Sequence, residues 1–533
     1  MLRSIVWTHL AVLLLSLAGC KADPKNPDYW DKSLNTAKRA KDKNRILSDL
    51  RESGNLNPSF VAMLNAHLAS ERQPEVKANL AHLLGDLKDP ASVQPLIDVL
   101  DLGNTDSASN NMNKEIAGAL ARIGDPRAIP ALMRLLGSRD AYVRIEAING
   151  LGSTRAKEAL EPLMAIANDD SGEPFVCKKA IQALGEIGDA RAVPVLIRMM
   201  FKERRGVTFY VESSFGLFQI GQPAADALLA VLSGEDRQLH AWAKQNNVIE
   251  PALYAKSAQV LGDLLERRAE RPLLSRLQFD SEYLDIKLFV RMKMAEALGR
   301  LRAKDAVKPL AAMLEEPEAP AREEYIRALV RVGSREAIPA LLKSASKGSW
   351  ESRRTAIAAV AMLGDQRETP LLEKLVKQEP ALSDAECKES PETAGCKNPT
   401  ELARKHAGVL QGYARLLEMA RSCQSDQACW AKKLEDADER VRERAAYEIG
   451  RSGKAEMADA LVKRLQETNL DVRLAVIQSL DWLIADTKEA ARKAAASLPN
   501  IEQQLSEEKG KTEFVKVNED LRRLAVVLKR QRA

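Results

Sequence analysis

The sequence predicts an all-α chain, an α-solenoid (superhelix) of about twelve stacked helix pairs. Three observations carry that expectation. Of 533 residues 45% are apolar and only 4% aromatic, with Ala, Leu and Arg abundant, a balance that favours helices. The stretches IAGALARIGDPRAIPALMRLLG from Ile116, IQALGEIGDARAVPVLIRMM from Ile181 and IRALVRVGSREAIPALLKSA from Ile326 repeat one design. Pro130, Pro162 and Pro194, and again Pro309, Pro339 and Pro370, recur every 30 to 32 residues, the period of stacked repeats rather than of separate globular domains.

Each part of the unit has a physical reason. An apolar stripe at helical spacing ends at Gly124, Gly188, Gly333 or Gly364, where glycine can take the left-handed conformation that closes a helix. Asp125, Asp189, Ser334 and Asp365 follow, residue types whose side chains cap the next helix. The prolines then fall in a first turn, where their missing N–H costs nothing. One such pair cannot bury its own stripe, so neighbours must stack, and the core becomes a ribbon along the array.

Matching helix starts occur at Val143-Arg144, Val290-Arg291, Val441-Arg442 and Val472-Arg473. With the Gly-Asp-x-x-Ala-Ile/Val-Pro connection they resemble HEAT repeats of the phycobilisome-lyase type, over most of residues 75–485. That resemblance implies a curved array whose inner helix row holds the Val-Arg helices. Arg144, Arg291, Arg442 and Arg473 are therefore the candidate partner-binding ridge, with pairing to acids of the neighbouring unit as the structural alternative. Residues 205–260 depart most: Ala227 replaces the proline, and SGEDRQLHAWAKQNNVIE from Ser233 reads as an insertion.

At the N-terminus, Arg3 precedes an apolar run from Ile5 to Leu17, too short to span a bilayer but of signal-peptide length. Leu17-Ala18-Gly19-Cys20 resembles the bacterial lipobox, which implies a signal peptide over residues 1–19 and lipidation of Cys20. Several acyl chains, at about 0.8 kcal/mol per buried methylene, hold a protein at a membrane without a transmembrane helix. Lys21 after the cysteine favours the outer membrane by the commonest sorting rule, the membrane face staying open. The expected location is thus the cell envelope, with a flexible tether over residues 20–36 lifting the array off the lipid.

Residues 37–376 read as the main repeat array, 377–400 as a cysteine-bearing insertion, 401–485 as further repeats, and 486–533 as a charged, partly mobile segment ending in a capping helix from about Glu513. Asn44 to Ser70 holds two helical patterns that cap the first stack, and Asp101 to Asn113 reads as a polar loop. Cys387, Cys396, Cys423 and Cys429 are candidate disulfide partners in an oxidising compartment. Local pairing is the simplest of three schemes, and crossed pairing would staple the insertion to the array. Cys177, in an apolar helix, reads as a small buried hydrophobe.

The sequence excludes more chemistry than it offers. Residues 20–533 carry a formal charge of +4, without the basic stripe of a nucleic-acid binder. His67, His82, His240 and His406 are scattered, no CxxC or HxxxH occurs, and no phosphate cradle or nucleophile elbow is present. Lys202, Arg204 and Arg205 read as a solvated loop. No cofactor, metal or small-molecule substrate is expected, and the chain is read as no enzyme. The expected function is a membrane-anchored scaffold that binds envelope proteins. A carrier for envelope lipid or polysaccharide is the alternative, and a bilin-lyase-like enzyme a more distant one.

Overall fold

The computed structural model describes residues 23–315, 319–347, 350–378 and 399–532. Cys20, Cys387, Cys396 and the signal segment lie outside them. The chain is an α-solenoid of about twelve helix pairs. Among the described residues its one β feature is a hairpin, Glu203–Arg204 against Val207–Thr208. No single described helix is long and apolar enough to cross a membrane.

In a typical unit a long helix such as Pro174–Ile187 ends at Gly188 with φ +74°, the 3-10 turn Ala190–Ala192 follows, and the short helix Val193–Met199 runs back. Asp125, Asp189, Ser334 and Asp365 each accept a backbone N–H two residues on, the expected caps. At Asp189 the guanidinium of Arg191 also closes on the cap at 3.0 Å and holds the carboxyl down at about 2. Gly364 departs from expectation, because its φ is not positive. A methyl group there would stand 2.7 Å from the Val360 carbonyl and 2.8 Å from Glu368, so crowding, not a left-handed turn, calls for glycine.

A second glycine position joins neighbouring units. Methyl groups placed on Gly85, Gly262 and Gly299 would stand 2.7, 3.0 and 2.9 Å from the Cα atoms of Ala119, Ala297 and Ala328 in the next long helix. Missing side chains thus let consecutive helices approach closely, which sets the stacking distance along the ribbon.

The chain forms two compact units, Met1–Ile220 and Gly221–Ala533. In the first, Pro74–Leu87, Ser107–Ile123, Ala141–Ser153, Pro174–Ile187 and Tyr210–Ile220 stack in sequence order. Residues 27–36 are helical instead of a flexible tether: Asn26 caps the helix, Pro27 opens it, and Trp30 and Leu34 are buried. The loop expected to reach Asn113 ends at Asp106, which caps Ser107–Ile123. The basic cluster is only in part the expected solvated loop: Arg205 is exposed, while Lys202 pairs with Asp170 at 2.8 Å. Arg204 is buried in the hairpin, donating to the Ala167 carbonyl at 2.8 Å and lying over the Phe209 ring at 5.3 Å.

In the second unit the stack of long helices turns back on itself. Trp482 Nε1 donates to the Arg300 carbonyl at 2.7 Å, Arg302 meets Asp486 at 2.8 Å, and Arg451 donates to the Val330 carbonyl at 3.1 Å. Asp263, Arg300, Asp520 and Arg523 form an alternating square with contacts of 3.2, 3.3, 2.7 and 3.0 Å. The segment expected to be partly mobile is helical as Lys488–Ala494 and Leu498–Glu507, burying Ala490, Ala494 and Ile501. The final helix, Val515–Arg532, buries Leu521, Leu524 and Leu528. Residues 233–249 add the helix Arg237–Gln245, capped by Asp236.

Candidate binding surfaces

The arginine ridge does not face outward as a set. Arg291, 6% exposed, donates through Nε to the Phe279 carbonyl at 2.7 Å. Arg473, 3% exposed, donates to the Leu465 carbonyl at 2.9 Å and to Gln504 at 2.9 Å, and pairs with Glu508 at 2.7 Å. Arg442 pairs with the buried carboxylate of Glu467 at 3.1 Å and donates to the Asp436 carbonyl at 2.8 Å. The bonds of these three fit the structural alternative: Arg442 and Arg473, one turn into their helices, and Arg291, two turns into its own, reach back to the preceding connection, whose carbonyls need donors. Arg144, half-buried, has a buried Nε without a hydrogen-bond partner among the described residues.

The first unit instead presents a row that sequence reasoning missed. Tyr142, Phe175 and Val211 are each the second residue of consecutive stacked helices, Ala141–Ser153, Pro174–Ile187 and Tyr210–Ile220, and are 69%, 60% and 51% exposed. Single exposed apolar residues are ordinary, but the same position exposed on three adjoining helices makes a patch. Around it lie both charge signs, including the Lys178–Glu212 pair at 3.1 Å. The signal available was weak: Tyr142 and Phe175 stand one position before the buried Val143 and Val176, about 100° round the helix from them, an offset that allows exposure without requiring it.

The second unit holds a cleft of about 520 Å³. Ile326, Val330, Ala358, Ala359, Met362 and Leu474 supply its apolar surface, Glu443, Tyr447, Asp471 and Lys516 its polar one, with Arg327 and Arg331 facing from the Ala319–Val332 helix. Burial pushes the Glu443 carboxyl up to about 7, and the like charges of Asp471 and Glu439 add to the effect.

The remaining candidates have local roles. His67 pairs with Asp31 at 2.8 Å, His82 with Glu115 at 2.9 Å and His240 with Glu250 at 3.3 Å; His406 lies in Pro399–Cys423, its side chain outside the described set. Among the described residues no group of three or more His, Cys, Asp or Glu is placed to hold a metal ion. Cys177 is buried, its thiol pushed up to about 11 by desolvation. Cys423 and Cys429 form a disulfide with Cα atoms 5.2 Å apart.

Stacked helix pairs, glycine joints and capped connections define a helical-repeat protein. The family model of HEAT repeats matches residues 61–142, 134–213, 307–385 and 430–504, more than half of the chain, and the protein belongs to the HEAT-repeat family. Among curated proteins it is similar to deoxyhypusine hydroxylase of Schizosaccharomyces pombe, 22% identical over 264 residues covering 49% of this chain and 78% of that protein. It is also similar to phycocyanobilin lyase subunit alpha of Thermosynechococcus vestitus, 30% identical over 188 residues covering 33% of this chain and 62% of that protein. Among solved structures, the CpcE–CpcF complex of phycocyanin lyase from Nostoc sp. PCC7120 is 19% identical, covering 51% of this chain and 94% of that one at a TM-score of 0.28.

Proposed function

We propose that this HEAT-repeat solenoid is a non-catalytic protein-binding scaffold, held in the cell envelope by a lipid on Cys20, with the outer membrane favoured. The observation that carries the binding half is the row Tyr142, Phe175 and Val211, exposed at equivalent positions on three stacked helices. Side chains with few rotatable bonds on a rigid support lose little entropy on contact, and aromatic residues such as Tyr142 and Phe175 are enriched at protein interfaces. Arg144, two residues beyond Tyr142, is the ridge residue retained in this surface. The anchor half rests on the lipobox resemblance, and tethering to one membrane raises the local concentration of partners there. The hydroxylase and the lyase subunit that the chain is similar to do not transfer their activities with the repeat, because fold alone does not fix chemistry.

The test is a photo-crosslinking residue at position 175 in the cells that make the protein, with Cys20→Ala in parallel. One reproducible envelope protein joined at position 175, and loss of Cys20→Ala from washed membranes, is the expected result. Crosslinks to lipid or glycan alone would favour the carrier reading, and membrane retention of Cys20→Ala through high-salt washing would remove the lipid anchor.

A further inference from the structure

The second unit's cleft has an electrostatic imbalance that the scaffold reading does not use. Arg327 and Arg331, the cations of the Ala319–Val332 helix, are drawn mainly to their own helix: Arg327 lies 3.2 Å from Glu323 and 3.4 Å from Glu324, and Arg331, 3.3 Å from Glu324, only partly offsets the charge of Glu443. Across the cleft, among the described residues, no ion pair or side-chain hydrogen bond satisfies the carboxylate of Glu443 or of Asp471. Glu439, one turn before Glu443, accepts from Asn469 at 2.7 Å. Lys516 stands exposed on the Val515–Arg532 helix, and the Trp350–Leu363 helix adds Thr355 and apolar side chains. A desolvated acid beside a second acid is unfavourable without a counter-charge.

We propose that this cleft binds a cationic group on an aliphatic stem, an ammonium or guanidinium such as a lysine or arginine side chain presents, with Glu443 and Asp471 receiving the charge. The stem would lie along Ile326, Val330, Met362 and Leu474, and the volume of about 520 Å³ falls in the range of ligand pockets. Chemistry of this kind needs both halves: apolar length to bury and an uncompensated acid at its end. Because Glu443 sits near 7 when the cleft is empty, a bound cation stabilises its ionised form, and binding weakens as pH falls below that value. The proposal stands on residues of the second unit alone and does not depend on the Tyr142–Phe175–Val211 row.

Ligand-observed NMR on the full chain tests it with N-acetyl-lysine methylamide, its neutral norleucine counterpart and n-butylamine. The lysine probe should bind at least about tenfold more tightly than the norleucine probe. Glu443→Gln should erase that preference while preserving the melting transition, and Asp471→Asn, on the exposed lip, should reduce it. A lysine probe that binds more tightly than n-butylamine assigns a peptide side chain as the source, and the reverse order assigns a free amine. Equal binding of lysine and norleucine probes, a preference unchanged in Glu443→Gln, or no saturation by about 10 mM lysine probe would overturn the site.

Discussion

Arg300 and Asp520 stand 220 positions apart in sequence and 3.3 Å apart in space. Each is at most 9% exposed. Arg300 also reaches Asp263, and Arg523 reaches both aspartates, so the square joins Glu250–Asp263 and Leu284–Arg300 to the last helix of the second unit. Removing one member of a buried ion network leaves its partners desolvated, typically at a cost of about 3–5 kcal/mol. Arg300→Ala should therefore lower the unfolding free energy of the second unit by an amount in that range, read as a lower denaturant midpoint through Trp482, whose indole donates to the Arg300 carbonyl.

Asp481 faces the same square as an excess acid. Burial pushes its carboxyl up to about 8, with Asp520 adding repulsion and Arg300 and Arg523 opposing. An unfolded aspartate titrates near 4, so across the interval from about 4 to about 8 the folded state binds the extra proton. The stability that this group contributes is fully present below about 4 and is lost as pH rises through about 8. Asp481→Asn should flatten that part of the stability profile and be more stable than the parent above pH 8. A parallel pair of curves would show that Asp481 does not titrate there.

These two predictions concern parts of the molecule that the sequence did not disclose. The unit design was legible because caps, closing glycines and first-turn prolines act within a few residues of one another, as at Gly188, Asp189 and Pro194. Closure of the second unit was illegible because Arg300 and Asp520 belong to helices whose local patterns say nothing about each other. The tether was misread at Asn26-Pro27-Asp28, where proline and charge resemble a linker but also form a helix start with cap, first-turn proline and early acid. The arginine ridge was read from recurrence and from the inner helix row that the repeat resemblance implies. A recurring Val-Arg step serves the preceding connection just as regularly as it would serve a partner, and only the carbonyls of Phe279, Leu465 and Asp436 decide between the two.

The glycine joints predict substitutions of opposite sign. A methyl group at Gly450 would lie 2.6 Å from Ser479 Cβ and 2.7 Å from its Cα, atoms fixed by the next long helix. Gly450→Ala should destabilise by about 1–3 kcal/mol despite alanine's better helix propensity. At Gly118, mid-helix in Ser107–Ile123, the nearest atoms are 3.5 Å away on the Arg122 and Glu146 side chains. Gly118→Ala should gain up to about 1 kcal/mol, measured by equilibrium denaturation of both variants.

The Cys423–Cys429 bridge closes a short loop, and Trp430 follows it directly, donating to the Gln424 carbonyl at 2.9 Å. Loop-closure entropy for so few residues is worth about 2 kcal/mol. Reduction, or Cys423→Ser with Cys429→Ser, should lower stability by about that amount and change the emission of Trp430, while leaving the helical signal intact. Loss of the whole fold on reduction would mean that the bridge holds more than its own turn.

The ridge and the row can be separated by the way each fails. Glu467 has a side chain only 2% exposed, and Arg442 is among its counter-charges at 3.1 Å. Arg442→Glu puts two carboxylates against each other there, so it should cost about 3 kcal/mol or more in stability, and any loss of partner binding would follow from unfolding. Phe175 is 60% exposed, so Phe175→Asp should change stability by no more than about 0.5 kcal/mol. If the row binds a partner, the same substitution should weaken the complex by about 2 kcal/mol, the size expected of an aromatic anchor. Paired melting and binding curves for the two variants give four numbers. The row is supported by a stable Phe175→Asp protein with weakened binding, and it is excluded by a stable Phe175→Asp protein that binds as well as the parent.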